Sequence, residues 1–325
     1  MKAEQVLTVE GCEIYTRIFE PEAVPCGSII IITGICESLK MYKNLAKKFS
    51  KEGFRVLCYD QRGFGKSGGK RGVLDSEETF YSDLSAVIKS SNITQISGEP
   101  ELPFFIFAHG TGAIGAVQYI QRPEARKVDG LILSAPSFHK FKDHSELEKG
   151  AMNLISKIDP NHLVTYKIEI NARTTDTKFR KMLNELSNEV SIKQLKIWED
   201  VGNVALYHSK SFKHPVFILH GNQDVVTDHQ STLSFFETIS SNDKKCVIAD
   251  GFKHNLHLDE NRQKIIEDIL KWVYTRAVNI KREQDKSMRL TVGPSVGGGR
   301  KRSAHVSVRP AALEVMVQSI TLNGQ

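Results

Sequence analysis

Along most of the chain, short apolar runs alternate with stretches whose apolar residues recur every three or four positions. The runs at Ser28–Ile32, Arg55–Tyr59, Phe104–Ala108, Gly130–Ser134, Pro215–His220 and Lys245–Ala249 predict strands. Several are almost continuously apolar, as expected of strands covered on both faces of a parallel sheet. Gln5–Val9 and Glu13–Phe19 flank Glu10-Gly11 and predict an N-terminal hairpin. Leu45 and Phe49 mark one helix, and Phe80, Leu84, Val87 and Ile88 a second. A third begins at Gly112, where Ala113, Gly115 and Ala116 allow close approach to a sheet. A last one, from about Glu260 to Ala277, sets Ile265, Ile266, Ile269, Leu270 and Val273 on one side. The alternation predicts an α/β fold with a mostly parallel central sheet flanked by helices.

The alternation stops twice. Between Ser137 and about Lys210 the pattern is that of several amphipathic helices, with Phe179, Met182, Leu183 and Leu186 spaced for one face. This predicts an insertion between two strands. From about residue 280 the chain turns rich in glycine and charge, and a basic, disordered tail is expected over 280–325 behind a folded domain of residues 1–279. The closing stretch Leu313–Leu322 is more apolar and carries no clear role.

Composition narrows the class. Charged residues make up 25% and hydrophobic ones 40%, an ordinary globular balance. The net charge is +6, but from Lys281 onward alone it is +5, leaving +1 for the body. The basicity belongs to the tail, so no nucleic-acid groove is expected on the folded domain. Arg300-Lys301-Arg302 is read as solvated charge. No apolar run approaches the roughly 18–20 residues that span a bilayer, and the N-terminus lacks the apolar core of a signal peptide. Cys12, Cys26, Cys36, Cys58 and Cys246 are odd in number, scattered and without a CxxC pair. They favour neither a disulfide framework nor a zinc site. A cytoplasmic setting is expected, in which the sequon at Asn92 is silent.

Three segments place chemistry at the C-terminal ends of expected strands, where open α/β sheets bind ligands. The first is Ala108-His109-Gly110-Thr111-Gly112, a strand, a sharp turn and a helix of small residues. That is the architecture of a nucleophile elbow, G-x-S-x-G, with Gly110 at the apex. The second puts Asp224 in the loop after a later strand, and the third puts His254 after the last one. The order elbow, acid, base is that of α/β-hydrolases.

Further motifs make the resemblance more specific. Thr33-Gly34-Ile35-Cys36-Glu37-Ser38 with Tyr42, the glycine-rich stretch Asp60–Gly72, Ser134-Ala135-Pro136, His220–Thr227 and Gly251–Asp259 follow one another over roughly residues 1–277. In order and spacing they resemble the monoacylglycerol lipase and lysophospholipase branch (serine aminopeptidase-like) of the α/β-hydrolase superfamily. The resemblance implies an α/β-hydrolase fold and roles for Asp224 as triad acid and His254 as general base. It also implies an oxyanion hole from the backbone N–H groups of Ile35 and Thr111, and a helical lid over about 137–210. It implies neither metal nor organic cofactor. The ligand class is an acyl lipid or another apolar small molecule, and the lid is the surface expected to touch a membrane. His109 is read as structural.

The departures from the family lie at the chemistry. Gly110 stands where the nucleophilic serine belongs, Thr33 where the oxyanion loop opens with histidine, and Cys36 where that loop has its second glycine. Glycine suits a strained apex and removes the attacking oxygen. Two readings follow. One is a hydrolase homologue impaired or inactive in catalysis, with its apolar pocket or its surface kept for binding. The other is a carboxylic-ester hydrolase with Cys36 as a non-standard nucleophile, or with water activated by His254 and Asp224. Ser38 lies on the same loop as Cys36, and Thr111, beside the apex, points the wrong way for attack.

Overall fold

The computed structural model describes residues 3–139, 146–166 and 168–291. β1 (Ala3–Val9) and β2 (Cys12–Phe19) form the expected hairpin, with Val9 opposite Cys12 across the turn. Then come β3 (Gly27–Ile32), α1 (Leu39–Lys51), β4 (Phe54–Tyr59) and α2 (Glu77–Ser91). β5 (Phe104–His109), α3 (Gly110–Tyr119) and β6 (Gly130–Ser134) follow. After an insertion the chain returns through β9 (Val216–Gly221), α8 (His229–Thr238), β10 (Lys244–Ala249) and α9 (Arg262–Thr291). The insertion holds α4 (Glu146–Ile158), β7 (Leu163–Thr165), α5 (Ile170–Arg173), α6 (Arg180–Asn184), β8 (Glu189–Ser191) and α7 (Ile192–Tyr207).

The main sheet has eight strands in the order β1-β2-β4-β3-β5-β6-β9-β10. β2 pairs with β1 and β4 in antiparallel fashion, and every pair from β4 to β10 is parallel. This is the expected α/β-hydrolase arrangement. Successive residues of the central strands serve opposite faces. Ile30, Ile32, Ile106, Leu131 and Leu133 join a core with α2, α3 and α7. Ile29, Ile31, Phe105, Phe107 and Ile132 join a second core with α1 and α9. Both faces are covered, so the strands are apolar throughout.

Helix starts follow local capping. Ser76 accepts a hydrogen bond from Thr79 N–H at the head of α2, and Asp228 accepts from Gln230 and Ser231 N–H at the head of α8. α1 is capped from a distance, by Asp60 Oδ1 on Leu39 N–H (2.6 Å), while Asp60 Oδ2 accepts from Lys66 N–H. Asp60 thus ties the head of α1 to the glycine-rich loop that follows β4.

Three differences from the sequence expectations have physical causes. α3 begins at Gly110 and not Gly112, because the strand passes into the helix at the turn apex. The stretch 137–210 is not helical throughout, since β7 and β8 pair as a separate antiparallel ladder. Its last helix, α7, belongs to the body: Trp198 is fully buried against Phe80 of α2. The face spaced over Phe179–Leu186 is split between a 3-10 turn and the short α6, with Leu183 packed into the core beside α1 and α9. Finally, α9 runs past residue 280 to Thr291, tied by Lys281 Nζ to Pro25 O and by Gln284 Nε2 to Glu101 O. Residues 280–291 are therefore helix, and the rest of the expected tail lies outside the described residues. Among the described residues, no helix is long and apolar enough to cross a membrane.

Candidate active site

β5, β6, β9 and β10 are parallel neighbours, so the loops leaving their C-terminal ends meet at one edge of the sheet. The elbow, Asp224 and His254 all lie there. His109 ends β5 in extended conformation, and Gly110 opens α3 with φ +56°. A side chain in that left-handed region costs about 1–3 kcal/mol, and glycine avoids the cost. Space is not the obstacle. A Cβ on Gly110 would lie 3.9 Å from His254 Nε2, 3.8 Å from Ser137 Oγ and 3.8 Å from Gly34 Cα, ordinary contact distances. The neighbouring glycines differ. A Cβ on Gly112 would lie 2.2 Å from Thr33 O, and one on Gly115 2.6 Å from Phe80.

Asp224 and His254 meet at this edge of the sheet. His254 Nδ1 is 2.8 Å from Asp224 Oδ2. The carboxylate also accepts from Val226 N–H (2.7 Å), Thr227 N–H (3.0 Å), Thr227 Oγ1 (2.7 Å) and His220 Nε2 (3.1 Å). Burial opposes its charge, but His254 and the hydrogen bonds from His220 and His254 outweigh it and hold the carboxyl far below the ordinary range. With Nδ1–H committed to Asp224, Nε2 is the free nitrogen of the imidazole. It faces Gly110.

The oxyanion loop is arranged differently from expectation. Ile35 N–H donates to Thr111 Oγ1 at 3.0 Å, so one of the two expected donors is engaged within the protein. Cys36 has φ +57°, the left-handed conformation that the family's glycine would supply. Burial pushes its thiol up to about 12, with Arg173 opposing, and among the described residues no histidine nitrogen lies within hydrogen-bond distance of it. The thiol is therefore protonated at neutral pH and unassisted, which weighs against Cys36 as nucleophile. Ser38 occupies the N-cap position of α1, with no side-chain hydrogen bond to the helix.

Beneath the loop lies a buried polar cluster. Glu37 accepts from Gly34 N–H (2.8 Å), Tyr42 OH and Asn255 Nδ2 (2.8 Å). Burial alone would raise its carboxyl; the surrounding histidines and Arg173, with the Tyr42 hydrogen bond, bring it down to about 2. Asn255 Nδ2 also donates to His109 Nε2 (3.1 Å), which leaves His109 Nδ1–H facing Ser134 Oγ. Burial pushes His109 down to about 3, so the ring is neutral. His257 stacks on Tyr42 at 4.3 Å between centroids with both ring nitrogens unpartnered among the described residues, and burial pushes it down to about 4.

Sequence reading missed Ser137 and Arg173. Ser137 follows β6, the strand beside the elbow, and its N–H donates to Gly110 O at 3.2 Å. Its place after Ser134-Ala135-Pro136 at a strand end was the available signal. Arg173 ends α5, and its backbone O accepts from Asn255 N–H at 2.8 Å while Ala172 O accepts from His254 N–H. No signal in the insertion marks it. Among the described residues, no three His, Cys, Asp or Glu side chains are grouped to hold a metal ion.

Residues 23–261 match the family described as serine aminopeptidase, S33. A putative monoglyceride lipase of Schizosaccharomyces pombe is 26% identical over 292 residues, covering 85% of this chain and 76% of that protein. The monoglyceride lipase of Saccharomyces cerevisiae is 24% identical, with 76% of this chain and 84% of that one aligned. A soluble variant of the latter, solved with a substrate analog, superposes with a TM-score of 0.72 at 20% identity, covering 84% of this chain and 94% of that one. The monoacylglycerol lipase of Paleococcus ferrophilus gives 0.71 at 23% identity, over 81% and 99% of the two chains. The family match, these relatives and the shared fold agree, and the chain belongs to the serine aminopeptidase S33 family of α/β-hydrolases, in its monoglyceride lipase-like branch.

Proposed function

We propose that this protein is a monoglyceride lipase-like α/β-hydrolase that has given up ester hydrolysis by the serine mechanism and keeps its pocket for an acyl or other apolar ligand. The observation that carries this reading is Gly110. It stands at the elbow apex with room for a side chain directed at His254 Nε2, and supplies none. The Ile35–Thr111 hydrogen bond supports the same reading, because it engages a donor that an oxyanion would need. Asp224 and His254 keep their alignment, but a hydrolase stripped of one triad member retains only about 10³–10⁴-fold over water. The ligand class follows from relatives named as monoglyceride lipases. The exposed Leu154 and Ile158 of α4 offer an apolar surface through which the insertion would approach a lipid phase.

The test compares the purified protein with Gly110→Ser on nitrophenyl esters and monoacylglycerols, together with a fluorophosphonate probe. The expected result is no turnover or labelling in the unmodified protein and both in Gly110→Ser. Turnover by the unmodified protein that disappears in His254→Ala would sink the proposal. If the same turnover also disappears in Ser137→Ala, the nucleophile has moved to the neighbouring strand end.

A further inference from the structure

The main sheet ends at β10, which among the described residues pairs with β9 alone. Every residue of β3, β5, β6 and β9 is buried, yet Cys246, Val247 and Ile248 of β10 stay only half-buried. Val216 N–H donates to Asp243 O at 3.0 Å, and Asn222 N–H donates to Ala249 O at 3.1 Å. Backbone groups alternate sides along a strand, so those of residues 243, 245, 247 and 249 face β9. The N–H and C=O groups of Lys244, Cys246 and Ile248 therefore point outward, away from the sheet.

Such an edge is a template for a further strand, and lysines commonly guard it by standing out into solvent. Here both lysines fold back onto their own subunit. Lys244 Nζ donates to Phe236 O (2.8 Å) and Ile239 O (2.9 Å) at the end of α8. Lys245 Nζ sits 4.6 Å from the Phe217 ring centroid and 3.9 Å from Asp268 on α9. The edge is left open and partly apolar.

The strand is also complementary to itself. Antiparallel pairing centred on Cys246 sets Lys244 opposite Ile248 and Lys245 opposite Val247, so no like charges meet. Asp250, exposed just past the strand, falls diagonally beside Lys244 of the other copy. The two-fold axis repeats that match of opposite charges at both ends of the junction.

We infer that β10 is a homodimer interface, at which two copies of this chain join their sheets edge to edge in antiparallel register about Cys246. The outward groups of Lys244, Cys246 and Ile248 then form about six backbone hydrogen bonds across the junction. The half-buried Cys246, Val247 and Ile248 are covered in the same step. The contact uses one patch on both subunits, so assembly closes at two copies. The inference is independent of whether the site at Gly110 hydrolyses esters.

The experiment is sedimentation velocity of the full chain over a dilution series, with hydrogen exchange followed in the same samples. The expected result is a species of twice the chain mass at micromolar concentration. The Lys244, Cys246 and Ile248 amides should exchange slowly there and rapidly once the dimer is diluted apart. Ile248→Lys sets like charges opposite each other at both ends and should weaken association by about tenfold. Adding Lys244→Glu should restore it. Melting curves establish that each variant is folded, and the unmodified protein decides the matter without any variant. A monomer at every concentration overturns the inference, as does a dimer whose β10 amides exchange freely or that ignores Ile248→Lys. Slow exchange of those amides in a monomer also overturns it, and assigns the edge to the chain's own residues 292–325.

Discussion

Ile35 and Thr111 lie 76 residues apart, and the backbone N–H of the first donates to the hydroxyl of the second at 3.0 Å. Both were expected to supply N–H groups to one oxyanion, yet the Thr111 side chain takes up the Ile35 donor. Restoring the serine alone should therefore leave a handicapped enzyme. In a Gly110→Ser background, Thr111→Val frees the Ile35 N–H at nearly constant volume. It should raise ester turnover and phosphonate labelling by about 10²-fold, the usual worth of one oxyanion donor. Equal rates with and without Thr111→Val would show that the hydroxyl does not obstruct the hole.

The elbow glycines should respond unequally to alanine. Gly110→Ala meets no atom closer than 3.8 Å and carries only the cost of its positive φ, about 1–2 kcal/mol. Gly112→Ala drives a Cβ to 2.2 Å from Thr33 O and must move the strand or the helix, at about 3 kcal/mol or more. Urea denaturation of the two variants measures the difference, and similar midpoints would contradict the packing described for α3.

Asp224 and His254 should also separate. Asp224→Ala leaves the N–H groups of Val226 and Thr227 and the side chains of Thr227, His220 and His254 without their shared acceptor, all buried. The expected loss is about 3 kcal/mol or more, since each orphaned buried donor costs roughly 1–3 kcal/mol. His254→Ala leaves Asp224 with its other donors and should cost about 1 kcal/mol. Comparable losses in equilibrium unfolding would argue against Asp224 as an anchor of its loop. If the difference holds, Asp224 anchors its loop whether or not it serves in catalysis.

Acid sensitivity should begin above the carboxylate range. His257 is depressed from an ordinary 6.5 to about 4, so the unfolded chain takes up its proton first. Stability from its neutral burial is complete above pH 6.5 and is lost as pH falls through about 4. His257→Phe keeps the ring against Tyr42 and removes this loss, about 3 kcal/mol by pH 4. Thermal melts between pH 7 and pH 4 should show a shallower decline for the variant. Glu37, depressed from 4.5 to about 2, adds a separate loss only below pH 4.5. Parallel declines for variant and parent would place the titrating group elsewhere.

Much of the site is legible in the sequence because its geometry is local. A strand running into Gly110, Gly112 and small helix residues can hardly be anything but a tight strand-to-helix turn. Asp224 and His254 follow strands whose apolar runs are unmistakable, and a parallel sheet brings such strand ends together whatever lies between them. The insertion was harder to read. β7 and β8 are three residues each, too short to show a two-residue period. α7 reads as part of an amphipathic insertion until Trp198 is seen buried against α2. Lys281, Arg282 and Glu283 look like the start of a charged tail, whereas the last helix continues there on contacts to Pro25 and Glu101.

By itself, the sequence determined the fold, the order of elbow, Asp224 and His254, and the glycine at the elbow apex, because each is written in residue type and spacing along the chain. Only the tertiary structure decided that the Thr111 hydroxyl meets the Ile35 donor and that Ser137 and His254 border the space beside Gly110. Those relationships join residues far apart in the chain, through hydrogen bonds and burial that no local pattern encodes.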